Sequence, residues 1–215
     1  MHNKLKSNNI TLFAASLVSV FVLAKPALAD QPDVGSTQEP RATHFLSSSL
    51  FMLFNFAPDP PSFYQLNYGH RITPRDTLIV EAITWTYAEP IGIPWGKGRG
   101  APENALPGHA RDIGVGLAYQ RFWWRGLYTT LHATPFFQMY FDQEGEHIQS
   151  GFQLFMTARL GYHFEFWKNR LFIEPSIAAT AWPINTNLPD TFAAQEERWR
   201  PFFLGEPGLH FGVNF

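Results

Sequence analysis

The side chains of this chain best suited to proton transfer, charge pairing or metal ligation are Glu81, His132, Arg159, His163, Glu174 and His210. Hydrolysis or acyl transfer would need a nucleophile and a base within hydrogen-bond reach, usually with a third group that orients the base. Serines and histidines are plentiful, but there is no G-x-S-x-G elbow and no His-x-Ser pair on any apolar–polar alternating stretch. No H-x-x-x-H or H-E-x-x-H occurs; His163 and Glu165 share a strand face with no third ligand nearby in sequence, so neither a metal nor a cofactor is expected. Counted outward from the WKNR turn (167–170), Arg159 and Glu174 fall at comparable heights on neighbouring strands. They are expected to form a structural salt bridge, which Glu81 could join from another strand.

Such groups meet only if the elements carrying them are placed correctly, and those elements read as strands. Eight segments rich in aromatic and β-branched residues are separated by turn or loop chemistry: 45–56, 62–72, 77–87, 112–122, 126–141, 151–166, 170–182 and 201–215. Connections alternate between tight turns (TPRD 73–76, WWRG 123–126, WKNR 167–170) and loops (57–61, 88–111, 142–150, 183–200). Alternation is nearly clean in the sixth segment: Phe152, Leu154, Met156, Ala158, Leu160, Tyr162, Phe164 and Phe166 oppose Gln153, Phe155, Thr157, Arg159, Gly161, His163 and Glu165.

Alternation leaves open which face points outward, since a soluble ligand-binding barrel would bury the apolar set. Three features favour apolar-out. The polar set carries no lysine; after residue 29 the only lysines are Lys97 and Lys168, few for a solvated β surface. Aromatics crowd the strand ends, with Trp123, Trp124, Phe164, Phe166 and Trp167 near the turns and Trp85, Tyr87, Phe136, Tyr140 and Trp182 nearer the loops, as membrane-interface girdles require. Finally, GLHFGVNF (208–215) alternates Leu209, Phe211, Val213 and Phe215 with smaller or polar residues, as a closing strand would, pairing with the first so that no amide is stranded in lipid.

The start of the chain gives the compartment. Lys4 and Lys6, the apolar run from Ile10 to Leu23 and Ala27-Leu28-Ala29 have the form of a cleaved secretory signal over residues 1–29, too short in its apolar run for a spanning helix. A polar, flexible segment over 30–43 would follow, then one domain over 44–215. With no cysteine, no disulfide framework braces it, and with a net charge of −2 and scattered basic residues it has no nucleic-acid footprint.

Eight strands, alternating turns and loops, and a terminal aromatic resemble the small outer-membrane β-barrels of the OmpA/OmpX type. The resemblance covers nearly all of the chain after the signal and lies in architecture, without a diagnostic motif. It implies an all-β, eight-stranded antiparallel transmembrane β-barrel in the outer membrane of a Gram-negative-type cell envelope. It also implies that Leu209, Phe211, Val213 and Phe215 serve as the signal read by the barrel-assembly machinery. At eight strands the interior is filled by side chains or holds one small ligand, so a wide pore is not expected. The expected protein is a monomer in contact with outer-membrane lipids, including lipopolysaccharide, with a non-catalytic structural or surface-binding role. The alternatives are a lipid-modifying acyl hydrolase or transferase and a carrier of small apolar ligands. A Ser–His pair at one height near the loop-side boundary would favour the enzyme, and an apolar lateral opening the carrier. The loops 95–111 and 183–200 either bind partners or cap the mouth.

Overall fold

Nearly every strand expected from period-two alternation forms, because each offers one apolar and one polar face that can be satisfied only in a sheet. The computed structural model describes residues 42–56, 60–87, 108–196 and 200–215; the expected signal, nearly all of the polar segment after it, and most of loop 95–111 lie outside the described residues. The strands are β1 (His44–Ser49), β2 (Tyr64–Arg71), β3 (Asp76–Tyr87), β4 (His109–Trp124), β5 (Leu127–Phe141), β6 (His147–Tyr162), β7 (Phe164–Phe166), β8 (Leu171–Thr186) and β9 (Phe202–Asn214). Here β7 prolongs β6 past a break at His163, and both pair with β8. Every neighbouring pair is antiparallel, and the sheet closes into a ring of eight strands through β1 and β9, with Phe45 opposite Asn214 and Ser49 opposite His210.

The turns explain the tight connections. Arg125 and Gly126 both take positive φ (43° and 94°), the two-residue arrangement whose twist matches flanking antiparallel strands. At the WKNR turn Trp167, Lys168 and Asn169 are all left-handed (φ 54°, 56° and 60°), and Asn214 Nδ2 donates to Asn169 O at 2.7 Å, tying this turn to the end of β9.

The polar face lies inside the ring. Side chains from strands that are not neighbours meet there: Gln120 of β4 donates to Glu174 of β8 at 3.2 Å, and Arg71 of β2 reaches Glu165 of β7 at 3.4 Å. Asp112 and Gln138 are wholly buried and Glu81 is 3 % exposed, whereas Leu117 is 67 %, Val115 60 % and Ile177 54 % exposed. The ring is thus lined within by charged, amide and hydroxyl groups interleaved with aromatics such as Phe122, Phe136 and Phe172, and is apolar without.

Two expectations about the strands and their aromatics fail. Residues 50–56 do not extend the first strand; β1 stops at Ser49 and Leu50–Phe56 forms a 3-10 helix. The run LFMLFN is apolar at both parities until Asn55, so no pleated sheet could satisfy it with one face inward. Nor do the loop-side aromatics all form an outer girdle. Phe136 and Tyr140 share the inner parity of β5 with Thr134 and Gln138 and are buried, and Trp85 stacks on Phe136 with centroids 6.3 Å apart. The side chain of Tyr87 lies outside the described residues. On the turn side Trp123, Trp124 and Trp167 are exposed on the outer surface, with the guanidinium of Arg121 over Trp123 and that of Arg125 over Trp124.

Candidate functional site: the polar interior and its rims

Six inward residues carry the possible chemistry, and the strand register sorts them into separate groups. Nearest the turns, Glu174 on β8 lies opposite His210 on β9 and, by continuation of the β7–β8 register, beside His163. His163 Nδ1 is 2.7 Å from Glu174 Oε1 and its Nε2 is 3.2 Å from Glu165 Oε1. The Glu165 carboxylate also accepts from Arg71 and from Asn214 Nδ2, both at 3.4 Å. Phe172 and Phe122 close around the imidazole, with centroids at 4.6 and 5.5 Å. Both ring nitrogens of His163 therefore face carboxylates, leaving neither to activate a hydroxyl.

Arg159 does not pair with Glu174. Across the WKNR hairpin Gly161 faces Ser176 and Arg159 faces Ala178, so Glu174 sits four residues nearer the turn, roughly 13 Å along the strand at about 3.3 Å per residue. Arg159 instead donates to Ser176 Oγ at 3.0 Å and lies 3.7 Å from Glu206 of β9, whose carboxylate accepts from Thr180 at 2.8 Å. Nor does Glu81 join that pair. It faces Gly116 on β4, where a Cβ would come 2.6 Å from His132 Nε2; the missing side chain lets residues of β5 reach across. Glu81 Oε1 is 3.1 Å from both His132 Nε2 and Thr134 Oγ1, and Gln65 Nε2 donates to Oε2. One His132 nitrogen serves both Glu81 and Thr134, whereas a nucleophile–base–orienter relay uses the two nitrogens separately. These groups are cross-ring braces in which buried charges are paired, as burial demands.

Toward the loops the interior is packed with larger groups. Trp85 Nε1 donates to Asp112 Oδ2 at 2.8 Å, and Tyr140 donates to Gln138 Oε1 at 2.8 Å. A short helix, α1 (Asp190–Glu196), follows β8 and places Phe192, 1 % exposed, against Tyr140 and Ala110. This part of loop 183–200 thus inserts into the ring's mouth. Outside it, on the loop-side end of β6, His147 Nε2 is 2.9 Å from Ser150 Oγ on an exposed stretch. Among the described residues no group of three or more His, Asp or Glu side chains is placed to hold a metal ion.

Sequence reasoning did not single out Arg71 or Gln65, and although it put Asp112 on a polar face and Phe192 in the 183–200 loop, it gave neither its partner, because each partner lies on another strand. It also missed the interruption of the wall beside the 3-10 helix, although Gly205 and Pro207 within the last strand signal it. Leu209, Phe211, Val213 and Phe215 all face outward and are exposed. No family model, no curated protein and no solved structure matches this chain.

Proposed function

We propose that the ring is a transmembrane β-barrel of the small outer-membrane type, integral to the outer membrane of a Gram-negative-type cell, with a non-catalytic structural or surface-binding role. The observation that carries this reading is the inverted polarity, with Leu66, Val115, Leu117, Phe137, Ile177 and Phe211 facing out around an interior of paired charges and amides. An exposed apolar belt on that scale has no stable place in water. A bilayer also requires every backbone group of the wall to be satisfied internally, and closure of β1 on β9 does this along the turn-side half of the seam. The exposed tryptophans with their stacked arginines suit the interface at the turn-side rim. Lipopolysaccharide and phospholipid would meet the belt, and the assembly machinery the stripe ending at Phe215. The crowded interior speaks against a wide aqueous pore.

The test is refolding from urea into phosphatidylcholine vesicles. Flotation with the vesicles, together with a heat-dependent shift in gel mobility, is expected; a folded monomer left in the aqueous phase refutes the reading. The acyl-hydrolase alternative draws support from the His147–Ser150 contact alone, and among the described residues no carboxylate pairs with this imidazole to orient it. Mass spectrometry of envelope lipids from cells carrying the parent chain or Ser150→Ala tests it. Acyl changes seen with the parent and lost in the variant would replace the non-catalytic reading.

A further inference from the structure

The wall of the ring is not a continuous ladder. Toward the loops β1 pairs with β9 no further than Ser49 and with β2 no further than Ser47. Beyond that height, β9 from Phe202 to Leu209 pairs with β8 alone, and β2 from Tyr64 to Leu66 pairs with β3 alone. The 3-10 helix Leu50–Phe56 fills this side of the wall, and such a helix satisfies much of its own backbone where the ladder stops. It is pinned by side chains: Asn55 Nδ2 donates to Phe63 O at 2.6 Å, Phe63 N donates back to Asn55 Oδ1 at 2.8 Å, and Phe51 packs edge-on to Phe63. Beside the helix a cleft of about 250 Å³ is lined by Ser49, Leu50, Met52, Leu53, Tyr64 and Phe211, among others.

From this geometry we infer that the cleft seats one acyl chain of a bilayer phospholipid, entering sideways from the belt. The inference rests on the membrane reading above. Its mouth is continuous with that belt, since Leu53, Tyr64 and Phe211 are all outward and exposed. Among the described residues no charged side chain lines it, so none of them would hold a headgroup or an acidic peptide. Its volume falls below the roughly 300–1,000 Å³ that takes a whole small molecule, which suits a segment of a chain anchored elsewhere. A partner's β-strand is a poor occupant: Gly205 (φ 85°) sits where the β8–β9 register shifts, and Pro207 offers no N–H, so the β9 edge is blunted against strand addition.

The absence of cysteine makes single-site labelling direct. A bimane would be placed on Leu53→Cys, Tyr64→Cys or, as a belt control on the distant β4, Leu117→Cys. Each labelled full-length chain is refolded into vesicles of phosphatidylcholine brominated on its acyl chains, then diluted into bromine-free detergent. All three positions are expected to be quenched in the vesicles; in detergent Leu117→Cys recovers fully, while Leu53→Cys and Tyr64→Cys stay partly quenched by the retained chain. Adding Met52→Phe to the Tyr64→Cys chain should fill the cleft with a ring that does not itself quench bimane and restore full recovery. Equal recovery at all three positions, or no quenching at Leu53 and Tyr64 in the vesicles, overturns the inference while leaving the membrane reading intact. Absence of quenching at Leu117 in the vesicles overturns the membrane reading and the acyl site with it.

Discussion

A charge placed on the outer face distinguishes lipid from water by the depth profile it produces. Leu117 lies near the middle of the sixteen residues of β4 and is two-thirds exposed, so replacing it with arginine loses little packing. In water such an exchange changes stability by no more than about 0.5 kcal/mol. In a bilayer the position relative to the apolar band decides the cost. Trp124, at the turn-side end of the same strand, is seven residues away, roughly 24 Å along the strand and about 18 Å along the ring axis at a tilt near 40°. That lies beyond half the height of a band about 25 Å tall, whereas Leu117 lies well within it. Leu117→Arg should therefore cost about 2–4 kcal/mol and Trp124→Arg about 0–1, with Ile113→Arg, outward and four residues the other way, in between. The assay is equilibrium unfolding by urea in phosphatidylcholine vesicles, followed by tryptophan fluorescence. If all three variants unfold within about 0.5 kcal/mol of the parent and of one another, the outer face does not meet hydrocarbon and the reasoning fails.

Glu174→Ala removes the acceptor of both His163 and Gln120 in a buried network and should cost about 3 kcal/mol in guanidinium unfolding. Glu174→Gln, which keeps an oxygen in place, should cost about half as much. Phe192→Ala should lose about 3 kcal/mol of local stability, read as faster amide exchange at the loop-side ends of β4 and β5, where Ala110 and Tyr140 lie. Lys168→Gly relieves one of three consecutive left-handed residues and should stabilise the ring by about 1 kcal/mol, measured as a raised urea midpoint; no change would mean that the turn carries no strain.

How much of this protein could be read from its sequence depends on the range of the forces involved. The parity of side chains is a local property of extended backbone, so the division of β6 into Phe152, Leu154, Met156 against Gln153, Thr157, Arg159 holds residue by residue in the ring. Tight connections are local too, and WKNR and WWRG turn where their residues allow. A cue to the end of β1 was equally local, since LFMLFN loses its alternation, but an apolar run by itself does not choose between a buried strand and a short helix. Tertiary structure alone decided the partners. Arg159 meets Glu206 and Ser176 because hairpin register moves its row past Glu174, and Glu81 meets His132 because Gly116 clears the way between β3 and β5. Arg71 reaches Glu165, and Phe192 enters the mouth, only once closure of the ring brings distant segments of the chain together. Alternation states which side chains share a face; which of them touch across the interior follows from strand register, stagger and closure, quantities summed over the whole sheet and carried by no single stretch of residues.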